Sequence, residues 1–432
     1  MGILNEIRLI SYNLTLRLSF FIFFPYYIYV ICVYLIYWSD YIVEKKKALP
    51  ILFAVMFLVM SGFGIIIPVI PFYAEEIGAS PAQLGFLMAI YSLMQFLFAP
   101  LWGRVSDRYG RKPVMLIGIL GLSLSFFLMA ISSELWMLFV ARIIGGTLSA
   151  ANMPTAMAYV ADITTEENRA KGMGMIGAAT GLGFIFGPAI GGLFSQMSLS
   201  TPFYVAGSLS LITSLFVLFV LKESLTSEAR NKQGKNRPSL FSAFKGTTSI
   251  LFILNLFVSL SLAGLEATFA YFAAQKAGLS TAQLGLIFMI MGFGSAIVQG
   301  GLVGRLSKKY GEGAVIQGGI IVSIIGMALI LLMNSFTTAA IFLTIFGMGN
   351  GAIRPAISSM LTKTAPSGHG NITGLLSSFD SLGRIIGPPL GGFLFTISIG
   401  FPYISGIILS VFALLLYQVY KTKATTKNSL EA

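Results

Sequence analysis

The chain has 432 residues, 56% of them hydrophobic and 10% charged, with a mean hydropathy of +0.85. Soluble domains carry about 25% charged residues, so this composition is that of a membrane protein. One cysteine (Cys32) rules out an intrachain disulfide or thiolate metal cluster, and one histidine (His369) leaves no basis for a metal or imidazole centre.

The first 47 residues stand apart. "LSFFIFFPYYIYVICVYLIY" at 18–37 is long enough to span a bilayer, but it is rich in Phe, Ile, Tyr and Leu, whereas the remainder is rich in Gly and Ala. We read 1–47 as an atypical extension: either translated upstream sequence with a natural start near Val43, or an extra anchor helix. No small-residue cleavage site follows it, so it is not a typical secretory signal.

From there, apolar windows of bilayer-crossing length recur between short polar breaks. They predict helical spans near 49–72, 82–102, 113–132, 135–160, 172–196 and 202–221, forming a first bundle over 48–221. A polar linker covers 222–247. Six more spans follow near 248–273, 282–303, 314–333, 336–361, 371–397 and 400–420, a second bundle over 248–420 with a tail at 421–432.

The net charge of +12 is concentrated in alternate loops. Residues 103–112 hold Arg104, Arg108, Arg111 and Lys112 against Asp107. The linker, the 304–313 loop and the tail are also basic, while the intervening loops hold Glu75, Glu76, Glu134 and a single Lys276. Positive loops stay on the cytoplasmic side, so the body termini and the linker are expected there. The charge is an orientation signal and gives no reason to expect nucleic acid as a partner.

The two halves repeat each other at an offset of about 200 residues. "AQLGFLMAIYSLMQFLFAPLWGRVSDRYG" from 82 aligns with "AQLGLIFMIMGFGSAIVQGGLVGRLSKKYG" from 282, and "GFIFGPAIGG" at 183–192 with "GRIIGPPLGG" at 383–392. Parallel six-span repeats place a substrate site near the midplane between two halves that rock about it.

"GRVSDRYGRK" at 103–112 closely resembles the loop signature between spans two and three of the major facilitator superfamily. The resemblance assigns Gly103, Asp107, Arg108, Gly110 and Arg111 to conformational gating, together with Asp162 at the inner end of span four. "GFIFGPAIGG", with Gly183, Gly187, Pro188, Gly191 and Gly192, resembles the signature of antiporters, and "ARIIGG" supplies Arg142, which matches an arginine linked to proton coupling. Over 49–420 the chain is similar to drug/proton antiporters, the Gram-positive multidrug pumps of the NorA, Bmr and Blt type. "AYVADIT" at 158–164, "LKESL" at 221–225 and "IRPAI" at 353–357 are further points of similarity. The implied fold is all-α, with twelve transmembrane helices in two pseudo-symmetric six-helix bundles. In such pumps the seventh span carries a coupling acid, which "SLAGLEAT" aligns with Glu266. Their tenth span carries a second acid, where this chain has Gly351; Asp380 is a candidate replacement.

Five ionisable side chains fall well inside the predicted spans: Arg142, Glu266, Arg354, Asp380 and Arg384. Charges at that depth face a cavity or pair with one another. Asp380 is either a coupling acid or the structural partner of Arg354 or of Arg384, which lies four residues on. No arginine on its own span offers Glu266 an equally obvious partner, so it is expected to exchange a proton as the cavity changes sides. Phe257, Phe269, Tyr271, Phe272, Met153 and Met157 are candidates for an adaptable cavity wall, and Asn255 and Gln95 for inter-helix bonds or ligand contacts.

The sequence therefore predicts a proton-coupled exporter of lipophilic, often cationic, small molecules in a bacterial cell membrane. A narrow exporter of a sugar, metabolite or single antibiotic is the alternative. Lipid and substrate are the expected partners of a monomer. No cofactor and no enzymatic activity are expected, because neither a nucleophile–base motif nor a phosphate-binding loop is present.

Overall fold

The computed structural model describes residues 48–225, 248–364 and 369–431, and every regular element among them is helical. The 1–47 extension and residues 226–247 of the linker lie outside the described residues.

The first half contains α1 (Ala48–Ile66), α2 (Ile70–Glu76), α3 (Pro81–Tyr109), α4 (Arg111–Ala130), α5 (Leu135–Ser149), α6 (Asn152–Ile163), α7 (Glu166–Phe194) and α8 (Thr201–Val220). The second contains α9 (Ser249–Ala277), α10 (Thr281–Ile297), α11 (Val303–Tyr310), α12 (Glu312–Ile330), α13 (Phe336–Thr364), α14 (His369–Ile397) and α15 (Phe401–Glu431). A π turn, Val298–Leu302, joins α10 to α11.

Proline explains the breaks. Pro68 has no N–H, and the chain turns over residues 67–69 before α2 resumes the first span. Pro154 cannot donate to the carbonyl four residues before it, and span four is interrupted at Ala150–Ala151. The last helix runs on to Glu431, past the expected end of its span at 420.

Eleven segments among the described residues are long and apolar enough to cross a membrane, against the twelve expected. The missing one is α14. It has the length, but Asp380, Arg384 and the paired Pro388 and Pro389 reduce its apolar character. Large apolar side chains such as Leu124, Ile131, Ile325, Leu332, Phe412 and Leu415 face outward, as a lipid-embedded surface requires.

The repeat is visible in the packing. α7 lies along α1 as α14 lies along α9, and the halves meet where α3 crosses α14 and α10 crosses α7. Both copies of the AQLG segment open on the same capping box, Ser80 with Gln83 and Ser280 with Gln283. From Ala82 to Gly110 the first copy advances 28 residues, while from Ala282 to Gly311 the second advances 29. The π turn at 298–302 lies within this stretch and absorbs the extra residue without shifting either end.

Candidate functional site

A cavity between the halves encloses about 560 Å³ of empty space, including the part open to solvent. Phe63, Ile66, Ile67, Ile70, Met88 and Phe184 give it an apolar wall on the first-half side, and its charged groups are Glu266, Arg384 and Arg142. Glu266 stands on α9 in a helix that is otherwise uncharged until its last turn. Its Oε2 accepts from Arg384 Nη1 of α14 at 3.4 Å, a single long bond between a half-exposed guanidinium and a mostly buried carboxylate. As expected, no arginine of its own span pairs with Glu266. The partner comes from another span, which periodicity along α9 cannot reveal.

Asp380 pairs with Arg354 rather than with Arg384. Its carboxylate lies 2.7 Å from Arg354 and accepts from Asn255 at 2.7 Å and Ser259 at 2.6 Å. It ties α13 to α9 and α14, and it is not among the residues lining the cavity. At Gly351, where the second acid is missing, a Cβ would press on the Ser295 hydroxyl, which would have to rotate aside. Arg142 is 4% exposed and stacks over Tyr91 with 5.2 Å to the ring centre. Gln95 donates to the Tyr91 hydroxyl and so acts as glue within α3.

The glycines of "GFIFGPAIGG" let helices touch backbone to backbone. A Cβ on Gly183 would lie 2.6 Å from Met60, and one on Gly187 would lie 2.7 Å from the Ser61 carbonyl; one on Gly191 would overlap the Ile65 carbonyl. Gly192 faces Thr281 and Ala282 across the halves. The second copy does the same, with Gly383, Gly387 and Gly391 against α9 and Gly392 against Pro81. Two matched contacts complete the seam: Gly85 abuts the Pro388 carbonyl, and Gly285 abuts the Pro188 carbonyl. Tyr271 adds a bond across it, donating to the Pro71 carbonyl at 2.7 Å.

These inter-half contacts cluster toward the end of the bundle where α3 and α10 begin. One apolar core runs through the first half and this end of the second, while the opposite end of the second half has a separate core. Toward that opposite end, side chains added at Gly174, Gly177 or Gly181 of α7, or at Gly300, Gly301 or Gly304, would meet nothing. The halves are thus sealed together at one end and parted at the other.

At the parted end, the 103–112 segment folds into a charge cluster. Arg111, its side chain 2% exposed, binds Asp107, donates to Asp162 at 2.9 Å and donates to Ser106 at 2.8 Å. Glu223, at the start of the linker, accepts from the backbone N–H groups of Arg111 and Lys112 at 2.8 and 3.0 Å. It therefore satisfies the open N-terminus of α4 and its dipole. Gly110 sits at φ +114°, and a Cβ there would press on the Glu223 carboxylate at 2.5 Å. Gly103 accepts from Ser106, and Arg108 lies outside the cluster against Tyr109. The cluster is built from the first half and the start of the linker, and among the described residues no ion pair crosses between halves.

The major facilitator superfamily model matches residues 52–367 and 251–432. The chain belongs to the major facilitator superfamily. It is 32% identical to Multidrug resistance protein 2 of Bacillus subtilis (strain 168) over 393 residues, covering 90% of this chain and 98% of that protein. Quinolone resistance protein NorA of Staphylococcus aureus (strain MSSA476) is 29% identical over 377 residues, covering 87% and 97% respectively. The solved structure of the nucleoside transporter NupG superposes with a TM-score of 0.71 at 16% identity, covering 87% of this chain and 98% of that one. This superfamily member is thus a multi-pass membrane transporter homologous to multidrug resistance efflux pumps, and not an enzyme.

Sequence reasoning about this major facilitator protein missed several of the residues that shape its sites. Phe269, Tyr271 and Phe272 are buried in the core, with Phe269 on Phe288 and Phe272 on Tyr403, and none of the six expected wall residues lines the cavity. The wall comes instead from Phe63 and its neighbours in the proline-broken first span. Glu223 counted only as linker charge; the signal for its role was "LKESL", whose Ser224 also donates to Asp162 at 2.9 Å.

Proposed function

We propose that this transporter expels amphiphilic small molecules from a bacterial cell in exchange for protons. Its twelve spans form two halves over 48–221 and 248–420, with the linker and body termini cytoplasmic. In that orientation the sealed end is outside, and the described state opens inward. The observation that carries the reading is the Glu266–Arg384 pair in the cavity between the halves. The printed names of the relatives, which concern multidrug and quinolone resistance, support a drug substrate.

The chemistry follows from that pair. Ionised Glu266 binds either Arg384 or a cationic group of the substrate. A proton arriving from outside neutralises the carboxylate and releases the substrate, and loss of that proton inside restores the site. Proton and substrate must favour different orientations for exchange to result. Arg142 sets the field on the first-half side, while Arg354 and Asp380 keep the inner end of the second half together. Asp107, Arg111 and Asp162, with Gly103, Gly110 and Arg108 beside them, stiffen the first half so that it swings as a unit. Gly183, Gly187, Pro188, Gly191 and Gly192 form the surface along which α7 moves. The unit is a monomer, since each chain holds both halves of the cavity.

Dye uptake into energised inverted vesicles, over a panel of compounds with and without a protonophore, tests the proposal. Glu266→Gln abolishes the proton-driven component. Full proton-coupled transport by that variant rejects the role of Glu266, and movement of one compound alone favours the narrow exporter.

A further inference from the structure

The charge inventory of the cavity points to a particular chemical group on the cargo. Its lining carries two guanidinium groups, Arg142 and Arg384, and one carboxylate, Glu266. With Glu266 ionised the site holds one net positive charge (two minus one), and with Glu266 protonated it holds two. A permanent lipophilic cation would enter against that excess, in surroundings where repulsion is weakly screened.

Arg142 is the decisive group. It is 4% exposed, its Nε meets no acceptor, and no described carboxylate pairs with it. The Tyr91 ring lies at 5.2 Å, but the hydroxyl of that ring is bonded to Ser149 at 2.8 Å. A buried guanidinium without an acceptor is costly, and its five donors match a carboxylate in bidentate fashion. Among the described residues Arg384 is held only by the 3.4 Å bond to Glu266, and its side chain is 44% exposed. Its remaining donors are open to an incoming group.

We propose that Arg142 and Arg384 form an anion subsite that receives the carboxylate of an amphiphilic substrate. An amine on the same molecule goes to Glu266, and the apolar body lies against Phe63, Met88 and Phe184. Such a zwitterion replaces one internal ion pair by two and supplies Arg142 with the acceptor it lacks. The inference rests on the exporter reading of the same cavity.

Fluorescence anisotropy with the purified full chain tests it, using a zwitterionic rhodamine free acid and its cationic methyl ester. The two dyes differ only at the carboxylate. The native protein binds the acid at least tenfold more tightly than the ester (about 1.4 kcal/mol). Arg142→Gln and Arg384→Gln each remove most of that preference, and Arg142→Lys, which keeps the charge without the fork, retains part of it. Arg384→Gln, at a half-exposed position, keeps the test valid where loss of Arg142 impairs folding. Equal binding of the two dyes, binding of neither, or a preference that survives both Gln variants overturns the subsite. Vesicle transport is read separately. Absence of proton-driven transport with the binding preference intact rejects the exporter reading and leaves the subsite standing.

Discussion

Gly285→Ala tests whether the seam between halves is one side of a two-state equilibrium. The glycine of α10 rests on the backbone of α7: an added methyl would overlap the Pro188 carbonyl oxygen and lie 3.1 Å from the Gly192 Cα. Both obstacles are main chain and cannot rotate away, so the helices must separate. Overpacking of this kind costs about 1–3 kcal/mol. In the proposed alternating cycle this contact is made only when the outer end is closed, so the penalty falls on that state alone. The outward-open population should then rise roughly five- to 150-fold relative to the closed one. The assay is the rate at which a membrane-impermeant maleimide, added outside intact cells, alkylates a cysteine placed at Ser92 in the cavity wall, with Cys32 changed to Ser. Gly285→Ala accelerates labelling and the matched Gly85→Ala does the same, whereas Gly177→Ala, which meets nothing, leaves it unchanged. An unchanged rate in folded Gly285→Ala protein would refute the reasoning.

Two further outcomes are expected at the ion-pair clusters. Glu223→Ala strips the acceptor from the first N–H groups of α4 and lowers stability by about 1 kcal/mol, measured as the thermal midpoint of the detergent-solubilised protein; no change would mean that water caps this helix equally well. Asp380→Ala costs about 2 kcal/mol more than Arg354→Ala, because Asp380 anchors three partners on two neighbouring helices while Arg354 is 58% exposed and hydrates readily. Equal losses in the same melting assay would show that the ion pair alone matters there.

The membrane class, most span positions, the repeat and the clustered charges of 103–112 were all legible in the sequence, because each is a pattern along the chain. Glu266 stood out for the same reason, as one acid in an apolar run. What could not be read was the choice of partner among charges on different helices. Asp380 could equally have met Arg354 or Arg384, and only the placement of α13 and α14 around α9 gives it the first and leaves the second for Glu266. The cavity wall was missed because aromatic residues on α9 look alike from composition, whether they face the core or a space between halves. Helix contacts were likewise invisible: that the Ser295 hydroxyl reaches Gly351 depends on two helices meeting at one point.

The repeat also separates the charges that build the fold from those that orient it. With the one-residue offset absorbed by the π turn, Arg111 corresponds to Glu312 and Asp162 to Lys363. Arg111 binds Asp162 in the first half, and Glu312 binds Lys363 in the second. The same two elements are tied at the same place with the polarity reversed, so what both halves require there is the bond and not either sign. The serines beside these ties differ as well: Ser106 accepts from Arg111, whereas the Ser307 hydroxyl is buried without a partner among the described residues. The orientation signal must then reside in charges outside these ties. Arg104, Arg108, Lys308 and Lys309 are all exposed, all positive, and all on the corresponding ends of α3 and α11. A topology determinant has to keep one sign in both halves, whereas a structural ion pair does not, and the two groups of residues divide along that line.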